Sequence, residues 1–135
     1  MVWNNRRMID IAILDKSDGS QVVNTISQLA AMHGVPNSNI LFDNDGVGGF
    51  VDGFIHGARE FHNGGRPQDE ENYQNLKTQC YYKSGMGVNM GLYYIEPHVA
   101  SRMYDDRMTV KQRMIWERKA IKRAKADHDG KLRIL

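Results

Sequence analysis

The chain has 135 residues, 41% of them apolar and 25% charged, enough for one globular core and a single domain over 1–135. No apolar run approaches the roughly 18 residues of a membrane span, and no leader with a cleavage site opens the chain, so a soluble protein of the cytoplasm is expected. Net charge is only +2, but residues 1–106 carry net −5 and residues 107–135 carry net +7, a basic end that suits a polyanion or a plain solvated surface.

"VW" followed by "NNR" reads as the end of one strand and a turn, and "RRMIDIAILD" (6–15) as the next strand, from its alternation and β-branched content. After "KSDGS", residues Val22, Ile26, Leu29, Ala30 and His33 share one helical stripe. Asp18 or Ser20 can cap its start, and Gly34 and Pro36 mark its end. "NILF" (39–42) predicts a short strand ending at Asp43. A short helix follows over "GVGGFVDGFIHG" and a further strand at "AREF" (58–61). This strand, helix, strand order favours an α/β layer with parallel pairing.

"HNGGRPQDE" is loop. A helix is then expected from about Glu70, with Tyr73, Leu76 and Cys80 at helical spacing, loosening near Ser84 to Gly87. Cys80 is the only cysteine, which excludes a disulfide framework and a cysteine-based zinc site, and its position on that pattern predicts a buried packing residue. A short helix is expected within 95–106. Another has Val110, Met114, Ile115 and Ile121 on one side and basic residues elsewhere. Asp129 and Gly130 then signal a hairpin between two extended segments.

The stretch "ILFDNDGVGGF" (40–50) invites a chemical reading. An EF-hand loop with Gly46 at its sixth position would begin at Leu41 and end at Asp52 where Glu belongs, so that reading fails. A dinucleotide fingerprint fails because Val51 stands where the third glycine should be, and the Gly-Lys-Ser/Thr of a phosphate loop is absent. Two readings remain. Asp43 and Asp45 are turn formers before glycine, which the residues alone favour. Alternatively, a strand delivers a carboxylate to the carboxyl edge of a sheet, where divalent cations activate water against a phosphodiester.

In chain order, "ILFDNDGVGGFVDGF", "EFHNGG" and "ENYQNLKTQCYYK" resemble the C-terminal nuclease domain of phage terminase large subunits, the DNA-packaging motor proteins. The match covers residues 39–83, and the closing Lys-rich hairpin is similar too. The resemblance implies a ribonuclease-H-like α/β fold, a mixed sheet flanked by helices, and an endonuclease that cuts double-stranded DNA with Mg2+ or Mn2+ in a phage- or prophage-carrying bacterial cell. The terminase small subunit and portal are the partners implied for the intact protein. Asp43 takes the place of the metal-binding catalytic carboxylate, with Asp45 a weaker candidate ligand or a supporting residue.

The family's first acid lies on an opening strand expected before Met1, and its last on a helix expected after Leu135. The sequence is therefore read as a partial domain with its opening strand largely missing. One carboxylate holds two hard cations poorly, which leaves the activity of the chain alone open. Asp10 is a possible substitute, although its pattern is that of a surface strand residue. Asp105, Asp106, Asp127 and Asp129 are others, the last two reading as turn residues. Loss of a central strand would leave inner edges unpaired and favour self-association.

The rival reading is a non-catalytic remnant or DNA-binding module. In it Lys111, Arg113, Arg118, Lys119, Lys122, Arg123 and Lys125 contact phosphates and Asp43 is structural. A nucleotide-binding domain using "GVGG" is the least supported. His56, His62 and His98 form no close pair in sequence, and Trp3, Tyr81, Tyr82, Tyr93 and Tyr94 fit core packing as well as base stacking.

Overall fold

A computed structural model of the chain describes residues 1–15, 18–44 and 48–102, and the backbone of two short strands at 123–124 and 133–134. The fold class is α/β, with a mixed sheet and helices. Two compact units divide the chain: Met1–Ile11 together with Gly64–Leu135, and Ala12–Asn63.

In the first unit, β1 (Val2–Asn4) and β2 (Arg7–Asp10) form the antiparallel hairpin expected from "VWNNR". Its turn runs through Asn5 at φ 54°, a left-handed conformation that asparagine tolerates better than most residues. β2 is also parallel to β5 (Tyr94–Ile95), with Arg7 opposite Tyr94 and Met8 opposite Ile95, which gives a mixed sheet in the order β1-β2-β5. On one face Met8 and Ile11 are buried with Val99 of α4 (Pro97–Arg102), and Ile95 packs against them. On the other face the Arg7 guanidinium lies 4.7 Å from the Tyr94 ring centre and its NH1 is 2.6 Å from Glu96 Oε1.

Before β5 in the chain comes α3 (Leu76–Asn89), which starts later than the spacing of Tyr73, Leu76 and Cys80 predicts. Two features impose the delay. Asp69 and Glu70 adopt φ 56° and 53°, which no right-handed helix accommodates, and the Asn75 side chain accepts the Thr78 N–H, fixing Asn75 as the N-cap. Cys80 is exposed, contrary to expectation; the buried side of α3 is formed by Thr78, Gln79 and Gly87. Gly87 admits the Tyr93 ring so closely that a Cβ there would sit 2.5 Å from Tyr93 Cε2. Tyr93 in turn meets Trp3 edge-on at 6.1 Å.

In the second unit, α1 (Gly19–His33) has the predicted ends. Asp18 accepts the Gln21 N–H at 3.1 Å, and Gly34, at φ 64°, turns its N–H back to the carbonyls of Ala30 and Ala31. β3 (Leu41–Asp43), α2 (Gly48–Phe54) and β4 (Arg59–Phe61) make a strand, helix, strand unit with the strands parallel. Phe42, Val51 and Ile55 are its buried core, flanked by Val22, Val23, Ile26, Ile40 and Ala58. Asn37 Nδ2 donates to the His56 carbonyl at 2.9 Å, tying the segment after α1 to the end of α2.

At the chain's end β6 (Arg123–Ala124) pairs antiparallel with β7 (Arg133–Ile134), as the Asp-Gly signal predicts. The helix expected around Val110 to Ile121 lies outside the described residues. Among those described, no helix is long and apolar enough to cross a membrane.

The Tyr93 contact separates two glycines of one helix. Gly87→Ala is expected to lower unfolding stability by about 1–3 kcal/mol through overpacking. Gly85→Ala, whose Cβ meets nothing within 4 Å, is expected to raise it by up to about 1 kcal/mol. Urea denaturation followed by circular dichroism checks both.

Candidate functional site

β3 is three residues long, and its exposed, buried, exposed pattern sets its chemistry. A strand turns successive side chains to opposite faces. With Phe42 committed to the Val51 and Ile55 core, Asp43 is turned away from it. In the parallel register Asp43 stands beside Phe61 and Phe42 beside Glu60, so both strands end at the same edge.

Five polar side chains lie at that end in two groups, Asp43 with Asn63 and Glu60 with Asn44 and His62, and strand alternation puts the two carboxylates on opposite faces. Asn63 Nδ2 donates to Asp43 Oδ1 at 3.1 Å, and Asn44 Nδ2 reaches Glu60 Oε2 at 3.5 Å. His62 Nε2 lies 3.3 Å from the same Glu60 oxygen, an ion pair only when the ring is protonated. Asp43, Asn44 and His62 are exposed, and Glu60 and Asn63 are half-buried. One face of this end therefore carries the Asp43 carboxylate with the Asn63 amide, and the other the Glu60 carboxylate with the His62 imidazole and the Asn44 amide. Such a set suits hydrogen bonding and single-ligand contact with a cation.

It does not make a two-cation centre. Each hard cation takes about six or more oxygen ligands, and among the described residues no three His, Cys, Asp or Glu side chains come together to hold a metal. Asp45 lies outside the described residues, as do Lys111, Arg113, Arg118, Lys119, Lys122 and Lys125. Of Arg123 only the backbone, in β6, is described. Asp105, Asp106, Asp127 and Asp129 also lie outside.

Asp10 is not the surface strand residue its pattern suggests. It is buried, its Oδ1 is 2.6 Å from Arg102 NH1, and the same oxygen accepts the Ile11 N–H at 2.8 Å. That carboxylate acts as counter-ion to the end of α4. His98 also has a structural partner: its Nε2 is 3.0 Å from the Ile9 carbonyl, which only accepts, so this nitrogen carries the proton.

Sequence reasoning did not single out Glu60 or Asn44. A signal was present for Glu60, because parallel pairing of "LFD" with "REF" brings that acid to the edge where Asp43 ends. Comparisons with family models, curated proteins and solved structures return no match to this chain.

The division of labour on β3 has a measurable consequence. Phe42→Ala is expected to cost about 3–5 kcal/mol of stability through core loss. Asp43→Ala, at an exposed position outside that core, is expected to cost less, about 1–2 kcal/mol on the scale of hydrogen bonds. A cost for Asp43→Ala equal to that of Phe42→Ala would make the carboxylate a structural part. Guanidinium melts of the two variants measure the difference.

Proposed function

We propose that this chain is part of a ribonuclease-H-like, metal-dependent endonuclease of the phage terminase type, cutting double-stranded DNA, with Asp43 supplying one ligand to Mg2+ or Mn2+. One observation carries the reading: the 3.1 Å hydrogen bond from Asn63 to Asp43. It joins the strand-ending acid of "ILFDNDGVGG" to the Asn-Gly-Gly turn of "EFHNGG", two motifs the resemblance draws from separate parts of the chain. Parallel strands ending together at that edge agree with the rule that α/β sheets bind ligands at strand carboxyl ends.

The chemistry assigned to this chain's own residues is limited. Asn63, by donating to Oδ1, orients the Asp43 carboxylate. A bound divalent cation would supply Lewis acidity and an activated water. The described residues do not complete its ligand set.

A second reading is favoured by the absence of a three-ligand group among the described residues: a non-catalytic module that binds DNA through its basic end. Self-association is part of either proposal. The β3–β4 sheet has two strands among the described residues, so each strand has an outer edge on which no described strand pairs, and open edges attract further strands.

Plasmid nicking in Mn2+, by this chain and by a version extended in frame at both ends, tests the reading. Cleavage that falls to background in Asp43→Ala and about 10- to 100-fold in Asn63→Ala is expected, the latter as for residues that orient a metal ligand. Cleavage that survives Asp43→Ala removes Asp43 from the mechanism. Salt-sensitive DNA binding without nicking by either form supports the second reading. Sedimentation velocity should show a dimer or larger species; a monomer at all concentrations removes the self-association proposal.

A further inference from the structure

Residues 65–76 leave and return to one point, where the Leu76 N–H donates to the Gly65 carbonyl at 2.7 Å. A compact surface loop of about 6–16 residues with its ends close together is an Ω-loop, a form that often carries function. This one is clasped to α3 by side chains. The buried Gln79 amide treats the loop as a neighbouring strand: its Oε1 accepts the Gln68 N–H at 2.7 Å and its Nε2 donates to the Gln68 carbonyl at 3.0 Å. The same Nε2 donates to Glu71 Oε2 at 2.8 Å, and Lys83 Nζ is 2.9 Å from Glu71 Oε1. Tyr73 completes the contact, its ring 5.5 Å from that of Tyr82.

Opposing costs are built into the closed form. Asp69 and Glu70 are consecutive residues in left-handed backbone, at φ 56° and 53°, a conformation that aspartate tolerates and that is disfavoured for glutamate. Three acids, Asp69, Glu70 and Glu71, follow one another in the same turn.

We propose that residues 65–76 form a spring-loaded strap: Gln79 and the Glu71–Lys83 pair hold it shut against its own backbone strain, and it opens as a unit, uncovering Gln79, while the β1-β2-β5 sheet stays folded. The proposal does not depend on the nuclease reading. Hydrogen bonds from Gln79 and then Lys83 lower the Glu71 carboxyl below its ordinary value. The charged groups facing Lys83 are Glu71 and Asp69, with Tyr73 beside them. The sign follows: the latch is intact above the ordinary carboxylate range and is lost as pH falls through the lowered value.

Hydrogen exchange read by mass spectrometry on the full chain at neutral pH tests this. Lys83→Met and Glu71→Gln are expected to speed exchange of the strap amides about tenfold while amides of residues 7–10 keep their rates, the pattern of local opening. Glu70→Gly, which relieves the strain, is expected to slow strap exchange. Strap rates unmoved by Lys83→Met and Glu71→Gln overturn the latch. Strap and sheet rates rising together overturn its independence. Faster strap exchange in Glu70→Gly overturns the stored strain.

Discussion

The opposite commitments of Phe42 and Asp43 organise the second unit. A pleated strand cannot send adjacent side chains the same way, so the ring that fills the space beside Val51 and Ile55 determines where the next carboxylate faces. Slipping the strand by one residue would bury Asp43 and expose Phe42. Core packing thus fixes the register, and the register fixes which polar groups meet at the edge. Asn63 meets Asp43 there because β4 runs parallel to β3 and ends beside it, while Glu60 and His62 pair at the same end on the opposite face.

Much of this was legible in the residues. Asp18 and Gly34 announced both ends of α1, since a carboxylate cap and a left-handed glycine are local devices that act within one turn. The β3, α2, β4 order was equally readable, because its apolar runs are short and separated by glycines. The start of α3 was not. Tyr73, Leu76 and Cys80 keep helical spacing through a turn whose left-handed Asp69 and Glu70 leave no mark in composition. The role of Asp10 was hidden for another reason: its partner Arg102 is 92 positions away, and strand alternation carries no information about a residue on a later helix. Of the candidate site, Asp43 and the Asn-Gly-Gly turn were legible, and the hydrogen bond joining them required three dimensions.

Asp10 and Arg102 show how the first unit pins its last described helix. Met8, Ile11 and Val99 supply the apolar contact, which is non-directional. The ion pair supplies direction, with a carboxylate that is 10% exposed on its side chain meeting a guanidinium that is 56% exposed. An arrangement of this kind contributes orientation more than stability, because desolvating the acid offsets much of the attraction. The His98 bond to the Ile9 carbonyl adds a second directional contact between the same strand and helix.

The two neighbours of β2 differ in when they become available. β1 is joined to it by a tight turn, whereas β5 brings Tyr94 to Arg7 only after the whole of Ala12–Asn63 and α3 have been made. At about 5–20 residues per second of synthesis, the hairpin waits several seconds on the ribosome with one flank open. Over that interval the contiguous unit has all its own contacts within reach. Contacts within the hairpin and within the contiguous segment are therefore within reach before the β2–β5 pairing, which joins residues much farther apart in the chain.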